Sequence, residues 1–249
     1  MATVHLLGTG AVISDPGRTT TMLALDNGRG VVLVDCGGDA VPRLSAAGLD
    51  PVALSALIVT HEHADHVAGF PLLMERTWLM GRRTPLDVYG IAPALAQARR
   101  SHDAFDVSGF DGYAGFRGHE IAYAKDAPVF ERDGWRVTAS PGRHAVPVTG
   151  LRFEDLLGGG TIVYSADTAP EPAIAELAQG ADLLIHEASG SGPVHTGARE
   201  AAEIARDAGA GRLILVHLPP HEELAPDLPA ARAIRPDLIV GAEGERHTV

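Results

Sequence analysis

A single cysteine, Cys36, occurs in the 249 residues, so no intramolecular disulfide staples the chain. Following the apolar run 31–34, it reads as a small buried apolar residue. Basic residues are also scarce: 20 Lys and Arg stand against 32 Asp and Glu, a formal net charge of −12. A protein that holds a long polyanion through its phosphates carries a basic face. The deficit therefore speaks against long nucleic acid as a partner, and no block of like charge supplies a basic tail instead. No apolar run approaches the ~18 residues of a membrane-spanning helix. Residues 1–8 lack the basic start and long apolar stretch of a secretion signal. These absences point to a cytoplasmic chain with no membrane partner. Neither a sequence repeat nor a dividing linker is visible, so residues 1–249 are expected to form one domain.

Hydrophobic residues make up 45% of the chain, enough for a sizeable core. Gly and Pro are spread throughout and punctuate short elements. Strands are expected at 4–7, 21–25, 31–34, 56–59, 86–89, 120–123, 129–131, 135–139, 148–153, 161–165, 183–186, 213–217 and 238–240. Helices are expected at 40–47, 71–80, 93–102, 170–179 and 196–208, several closed by a following glycine. The helix 71–80 is apolar enough to be core or an interface. Residues 105–118, rich in Gly and Asp with scattered aromatics, read as a surface loop and one wall of a substrate cleft. Early strands followed by a β-α-β-α-β rhythm fit an α/β class of two sheets with helices outside.

The chemistry concentrates in His61-Glu62-His63-Ala64-Asp65-His66. Side chains at i and i+2 of an extended segment point the same way, so His61 and His63 can share one ion. Asp65 and His66 follow where the chain turns toward a helix, and can reach a second position. Imidazole and carboxylate suit zinc and neighbouring transition metals. Further candidates stand just past apolar runs: His144, Asp167 and His217. His5, His102, His119, His186, His221 and His247 find no place in such a set. Gly8 and Gly10 read as a structural turn, since no lysine follows as in a phosphate loop.

The ordered set His-x-His-x-Asp-His, His, Asp, His resembles the metallo-β-lactamase superfamily. Leu7-Gly8-Thr9-Gly10, Val34-Asp35-Cys36-Gly37, Ser165-Ala166-Asp167-Thr168 and Ala242-Glu243-Gly244 extend the likeness over nearly the whole chain. The Leu-Gly-Thr-Gly start resembles the ribonuclease Z-like branch in particular. So do His186-Glu187-Ala188 and the following His195-Thr196-Gly197-Ala198-Arg199-Glu200-Ala201-Ala202. The resemblance implies a four-layered αββα sandwich of two mixed sheets flanked by helices. It implies two divalent ions, zinc in the first instance, with manganese and iron as alternatives. On this pattern His61, His63 and His144 bind one metal, Asp65, His66 and His217 the other, and Asp167 bridges both. His195 becomes a general acid supported by Glu187, and Asp65 also orients the nucleophile or takes its proton. The competing view of His195 is a residue at a helix start beside a capping Thr196.

Two departures bear on the substrate. Ribonuclease Z proper carries a long tRNA-gripping arm between the third metal His and the bridging Asp, whereas two strands and Gly158-Gly159-Gly160 nearly fill residues 145–166. The segment after Gly37 also lacks the acidic-Gly-Thr-Gln run of the tRNA enzymes. The leading expectation is a phosphodiesterase, with a hydroxide held between two metals attacking a small or short phosphodiester. The alternatives are a tRNA 3′-processing endonuclease, a lactonase or thioesterase, and a metal sensor without chemistry. Relatives in this branch are often dimers, which leaves a homodimer open.

Overall fold

Alternate residues of three neighbouring strands face two different cores, and this alternation sets the layers. In β10 (Thr161–Tyr164), β11 (Leu183–Glu187) and β12 (Arg212–Val216), Ile162, Leu183, Ile185, Ile214 and Val216 point into the core between two sheets. Their neighbours Val163, Leu184, Leu213 and Leu215 point the other way, under a layer of helices. A strand covered on both faces needs this near-continuous apolar composition.

The computed structural model describes residues 1–249. The first sheet runs β14-β1-β2-β3-β4-β5-β6, with β1 (Thr3–Gly8), β2 (Met22–Asp26), β3 (Val31–Val34), β4 (Leu54–Val59), β5 (Leu86–Gly90), β6 (Phe116–Glu120) and β14 (Arg246–Thr248). The second runs β13-β12-β11-β10-β9-β8-β7, adding β7 (Ala127–Arg132), β8 (Trp135–Pro141), β9 (Thr149–Asp155) and β13 (Ile239–Val240). Each sheet makes three antiparallel pairings and then three parallel ones. The two halves thus share a topology that their sequences do not show as a repeat.

Helices α1 (Ala40–Ala46), α3 (Phe70–Leu79) and α4 (Ala92–Asp103) cover the first sheet. Helices α5 (Pro172–Leu177), α6 (Ala198–Asp207) and α8 (Leu228–Ile234) cover the second. The buried face of α6 is all alanine, Ala198, Ala201, Ala202 and Ala205, which lets the helix lie close to β11 and β12. Helix α3 buries Phe70, Leu73, Met74 and Thr77, so it is core on one face, while Leu72, Leu79 and Met80 stay exposed. No helix is long and apolar enough to cross a membrane.

The expected elements stand within a few residues, with instructive exceptions. The expected strand 120–123 is displaced: β6 occupies Phe116–Glu120, beginning inside the expected loop 105–118 and meeting the expected strand only at Glu120. Its residues Phe-Arg-Gly-His-Glu lack strand character, and pairing with β5, Leu86 to Phe116 through Gly90 to Glu120, makes the strand. Of the remaining residues expected in that strand, 121–123, only Ile121 is in the core, its N–H donating to the Gly90 carbonyl at 2.9 Å. Strand β14, the short helix α7 (His221–Leu224) and α8 were not expected at all.

Trp135 is fully buried, packs edge-on against Phe153 at 5.8 Å, and donates its indole N–H to the Gly30 carbonyl at 3.1 Å. It ties β8 to the turn before β3, and hence one sheet to the other. Trp135→Ala removes the ring and leaves a cavity, at a cost of about 3–5 kcal/mol. The expected outcome is a clearly lower urea midpoint by far-UV circular dichroism; an unchanged midpoint overturns this reading of the core.

Candidate metal centre

The parallel strands deliver the site. β4 ends at Val59 and leads through Thr60 into His61 and His63; His63 is the N-cap of helix α2 (Ala64–Val67), which carries Asp65 and His66. β10 leads to Asp167, β11 ends on Glu187, and β12 runs directly into His217. His144 sits on the connection between β8 and β9. All lie at or beyond strand ends, where a rigid sheet fixes the backbone that carries them.

The side chains converge as two overlapping groups. His63 Nδ1 lies 3.1 Å from both His61 Nε2 and His144 Nε2. In the second group, Asp65 Oδ2 is 3.5 Å from His66 Nε2 and 3.4 Å from His217 Nε2. Asp167 Oδ2 stands between them, at 3.2 Å from His217 Nε2, 3.4 Å from His66 Nε2 and 3.9 Å from His61 Nε2. A tetrahedron with ~2.1 Å metal–ligand bonds has edges of about 3.4 Å, so these spacings suit a cation inside each group.

Hydrogen bonds from behind decide which nitrogen faces inward in four of the five rings. Thr60 Oγ1 donates to Asp35 Oδ2 at 2.9 Å, so it accepts from His61 Nδ1 at 3.1 Å. His144 Nδ1 donates to the Val194 carbonyl at 2.9 Å, and His66 Nδ1 to Asp35 Oδ2 at 2.8 Å. Ser189 Oγ donates to Glu187 Oε2 at 2.6 Å and accepts from His217 Nδ1 at 2.7 Å. Each of these rings therefore turns a Nε2 lone pair into the centre, the orientation that metal-binding imidazoles require. His66 Nε2 and Asp167 Oδ1 are buried without any hydrogen-bond partner. Orphaned acceptors of this kind are expensive unless a cation meets them, and the residues present fit a pair of divalent ions.

Electrostatics agree. Burial, then the neighbouring His66, holds the His61 imidazole well below its usual range; burial and His144 do the same more mildly to His63. Both are thereby kept neutral, with a lone pair free to meet a cation. Burial pushes the Asp167 carboxyl up, but His217 and His66 outweigh it and hold the group well below the usual carboxylate range. Burial likewise opposes ionisation of Asp65, and hydrogen bonds from His217 and His66 overcome it. Burial lowers His66, yet the charges of Asp167 and Asp35 raise it well above its usual value. The field that favours a proton on His66 favours any cation placed among these carboxylates.

The expected pair His195 and Glu187 is also brought together. Glu187 is fully buried and accepts from His195 Nδ1 at 2.9 Å, while the His195 ring lies 4.9 Å from that of His144 and 5.7 Å from that of His217. The Glu187 hydrogen bond raises the His195 imidazole, against burial. Thr196 does not cap α6: the N-cap is Gly197, whose N–H is met by Glu200 at 2.9 Å, and Thr196 Oγ1 donates to the Thr168 carbonyl instead. The helix-start view of His195 loses its cap, because the hydroxyl is needed to tie the His195 loop to the Asp167 loop.

Sequence reasoning gave no role to Asp35, Thr60 or Ser189. A carboxylate directly after the buried run of β3, beside the parallel strand β4, was the available signal for Asp35. Nothing local marks Thr60 or Ser189. His217, Asp35 and Ala166 have φ of 51°, 58° and 52°, a left-handed conformation that non-glycine residues adopt at a cost and that clusters at functional sites. Gly37 allows the closest approach: a Cβ there would stand 1.7 Å from the Asp65 carbonyl oxygen.

Comparison with known proteins places this geometry. Residues 31–218 match the family model described as a beta-lactamase superfamily domain. Ribonuclease Z from Methanothermobacter thermautotrophicus is 31% identical over 275 residues, covering 88% of this chain and 87% of its own. The metallo-beta-lactamase fold protein YhfI from Bacillus subtilis superposes with a TM-score of 0.81 at 24% identity, over 99% of this chain and 98% of its own. The short form of human tRNase Z gives a TM-score of 0.81 at 22% identity with the same coverage. The chain belongs to the beta-lactamase superfamily, in its ribonuclease Z-like branch, and is a metal-dependent hydrolase.

Proposed function

We propose that the chain is a dinuclear phosphodiesterase acting on small or short phosphodiesters. His61, His63 and His144 would hold one divalent cation and Asp65, His66 and His217 the other, with Asp167 shared; zinc is the first candidate, since imidazole and carboxylate suit it. The observation that carries the reading is the pair of donor groups meeting at one buried carboxylate, with a Glu187-backed imidazole beside them. When bound, such a pair supplies Lewis acidity, making water acidic enough to ionise near neutral pH and offsetting charge on substrate oxygens.

The remaining work falls to the chain's own groups. Asp65 keeps one carboxylate oxygen, Oδ2, toward the centre and can orient an attacking water and receive its proton. His195 holds a proton on a ring fixed by Glu187 and can deliver it to the departing alkoxide oxygen. Ser189 couples the two, since it bonds both Glu187 and His217.

Phosphorus chemistry is favoured because the curated relatives are named ribonuclease Z, and a ribonuclease breaks phosphodiester bonds. A tRNA substrate is disfavoured by what lies between His144 and Asp167: β9 and β10 pair as an antiparallel hairpin, joined only by residues 156–160. No arm projects there to hold a folded RNA. The same reading makes residues 1–249 one catalytic domain.

Removal of metal by a chelator is expected to abolish hydrolysis of bis(p-nitrophenyl) phosphate, and added zinc to restore it. Asp167→Asn should lower the metal content from two ions per chain, read by elemental analysis; full content in this variant contradicts the shared-ligand role. His195→Ala should slow release of a poor alkoxide leaving group by about 10²–10⁴-fold. It should slow release of p-nitrophenolate much less, because that anion leaves without a proton. Equal losses on both esters would remove His195 from the acid role.

A further inference from the structure

We propose that the open cleft beside His144 is a subsite for a second phosphoryl group, so that the substrate is a phosphodiester extended by one further phosphate. The inference rests on the hydrolase reading above and names the substrate class of that same site. The cleft has a volume of about 610 Å³, and its wall includes His144, Tyr123, Lys125 and Arg143. His144 belongs both to the cleft wall and to the donor set, so the cleft adjoins the centre.

Two cations line it, in a chain whose net charge is −12. Lys125 is the only lysine; every other basic residue is arginine. It pairs with Glu176 on α5, with both side chains about half exposed, 53% and 46%. An exposed pair of this kind holds its partners weakly, so a phosphate dianion can replace Glu176 on the ammonium.

Arg143 is placed more firmly. Its backbone N–H donates to Thr168 Oγ1 at 2.9 Å, and its carbonyl accepts from the Ala169 N–H at 2.8 Å. One guanidinium nitrogen, Nη2, donates to the Pro170 carbonyl at 3.0 Å. The residue is thereby fixed to the Asp167 loop on one side and to His144 on the other. Four of the five guanidinium N–H groups remain for an anion.

Tyr123 presents a half-exposed ring, held by its hydroxyl to the Gly142 carbonyl at 3.4 Å. It offers a face for the sugar that joins the two phosphates, or for the base that this sugar carries. Glu171 also lines the cleft, and Glu176 pairs with Lys125. They would repel a chain of many phosphates more than a single phosphoryl group, which is how a site rejects a long polyanion.

The test uses the metal-loaded full chain and the fact that it holds two amines, Lys125 and its α-amine. Acetylation of each is followed by peptide mass spectrometry with thymidine 5′-monophosphate or thymidine 3′,5′-bisphosphate present. The bisphosphate is expected to slow Lys125 acetylation at least fivefold and leave the α-amine unaffected, whereas the monophosphate protects neither. In parallel, KM is measured for the p-nitrophenyl ester of thymidine 5′-phosphate with and without a 3′-phosphate. The expected KM is at least fivefold lower with the 3′-phosphate, and this ratio falls to near one in Arg143→Ala and in Lys125→Gln. Equal KM values with no protection overturn the subsite while the hydrolase reading stands. Protection of Lys125 without turnover of either ester supports the subsite and sinks the phosphodiesterase. A KM ratio that survives both substitutions places the second phosphate elsewhere and overturns the proposal.

Discussion

A buried carboxylate surrounded by imidazole lone pairs is an unstable arrangement unless positive charge sits among them. Asp167, only 2% exposed, faces His61, His66 and His217 through one oxygen and leaves the other unpartnered. The cost of burying such groups in a protein interior is several kcal/mol per ion when nothing compensates. The surrounding structure keeps that constellation in place, so its geometry is a statement about the cations it is built to receive.

The outer hydrogen bonds carry as much of the design as the donors. Asp35 takes three bonds, from the Thr60 N–H, the Thr60 hydroxyl and His66 Nδ1. It thus sets the ring orientation of His66 directly and of His61 through Thr60. On the opposite side Glu187 does the same for His195, and for His217 through Ser189. Two buried carboxylates, one from each sheet, therefore orient four of the imidazoles, His61, His66, His195 and His217. The Thr168 N–H, donating to Glu187 at 2.7 Å, joins the second of these anchors to the Asp167 loop. Removing either anchor would free rings on both sides of the shared carboxylate.

The repeated topology explains why the centre lies where it does. In each sheet three antiparallel pairings give way to three parallel ones, and most of the site residues follow strands of the parallel halves, β4, β10, β11 and β12. Connections following parallel strands are free to carry function because the strands themselves satisfy their backbone bonds. β4 supplies four donors through one short loop and helix. β10, β11 and β12 each contribute one functional residue, and the β8–β9 connection supplies His144. The cleft beside His144 follows from the same layout, since the loop that carries this imidazole also carries Arg143.

The seven donors, the strands that lead to them and the αββα layering were legible in the sequence. Strong local signals marked them: apolar runs with period two, and His and Asp residues placed directly past those runs. The pairing of His195 with Glu187 was legible only through a family likeness, and Asp35, Thr60 and Ser189 were not legible as orienting groups. Strand β6, with its polar Phe-Arg-Gly-His-Glu, and strand β14 were invisible, because their conformation comes from β5 and β1. The sequence by itself determined which side chains are available to hold cations, since chemical identity and local periodicity are properties of the chain. Tertiary structure alone decided which nitrogen of each ring faces inward and which oxygen is shared. It also decided which cations border the centre, because those depend on contacts between residues far apart in the chain.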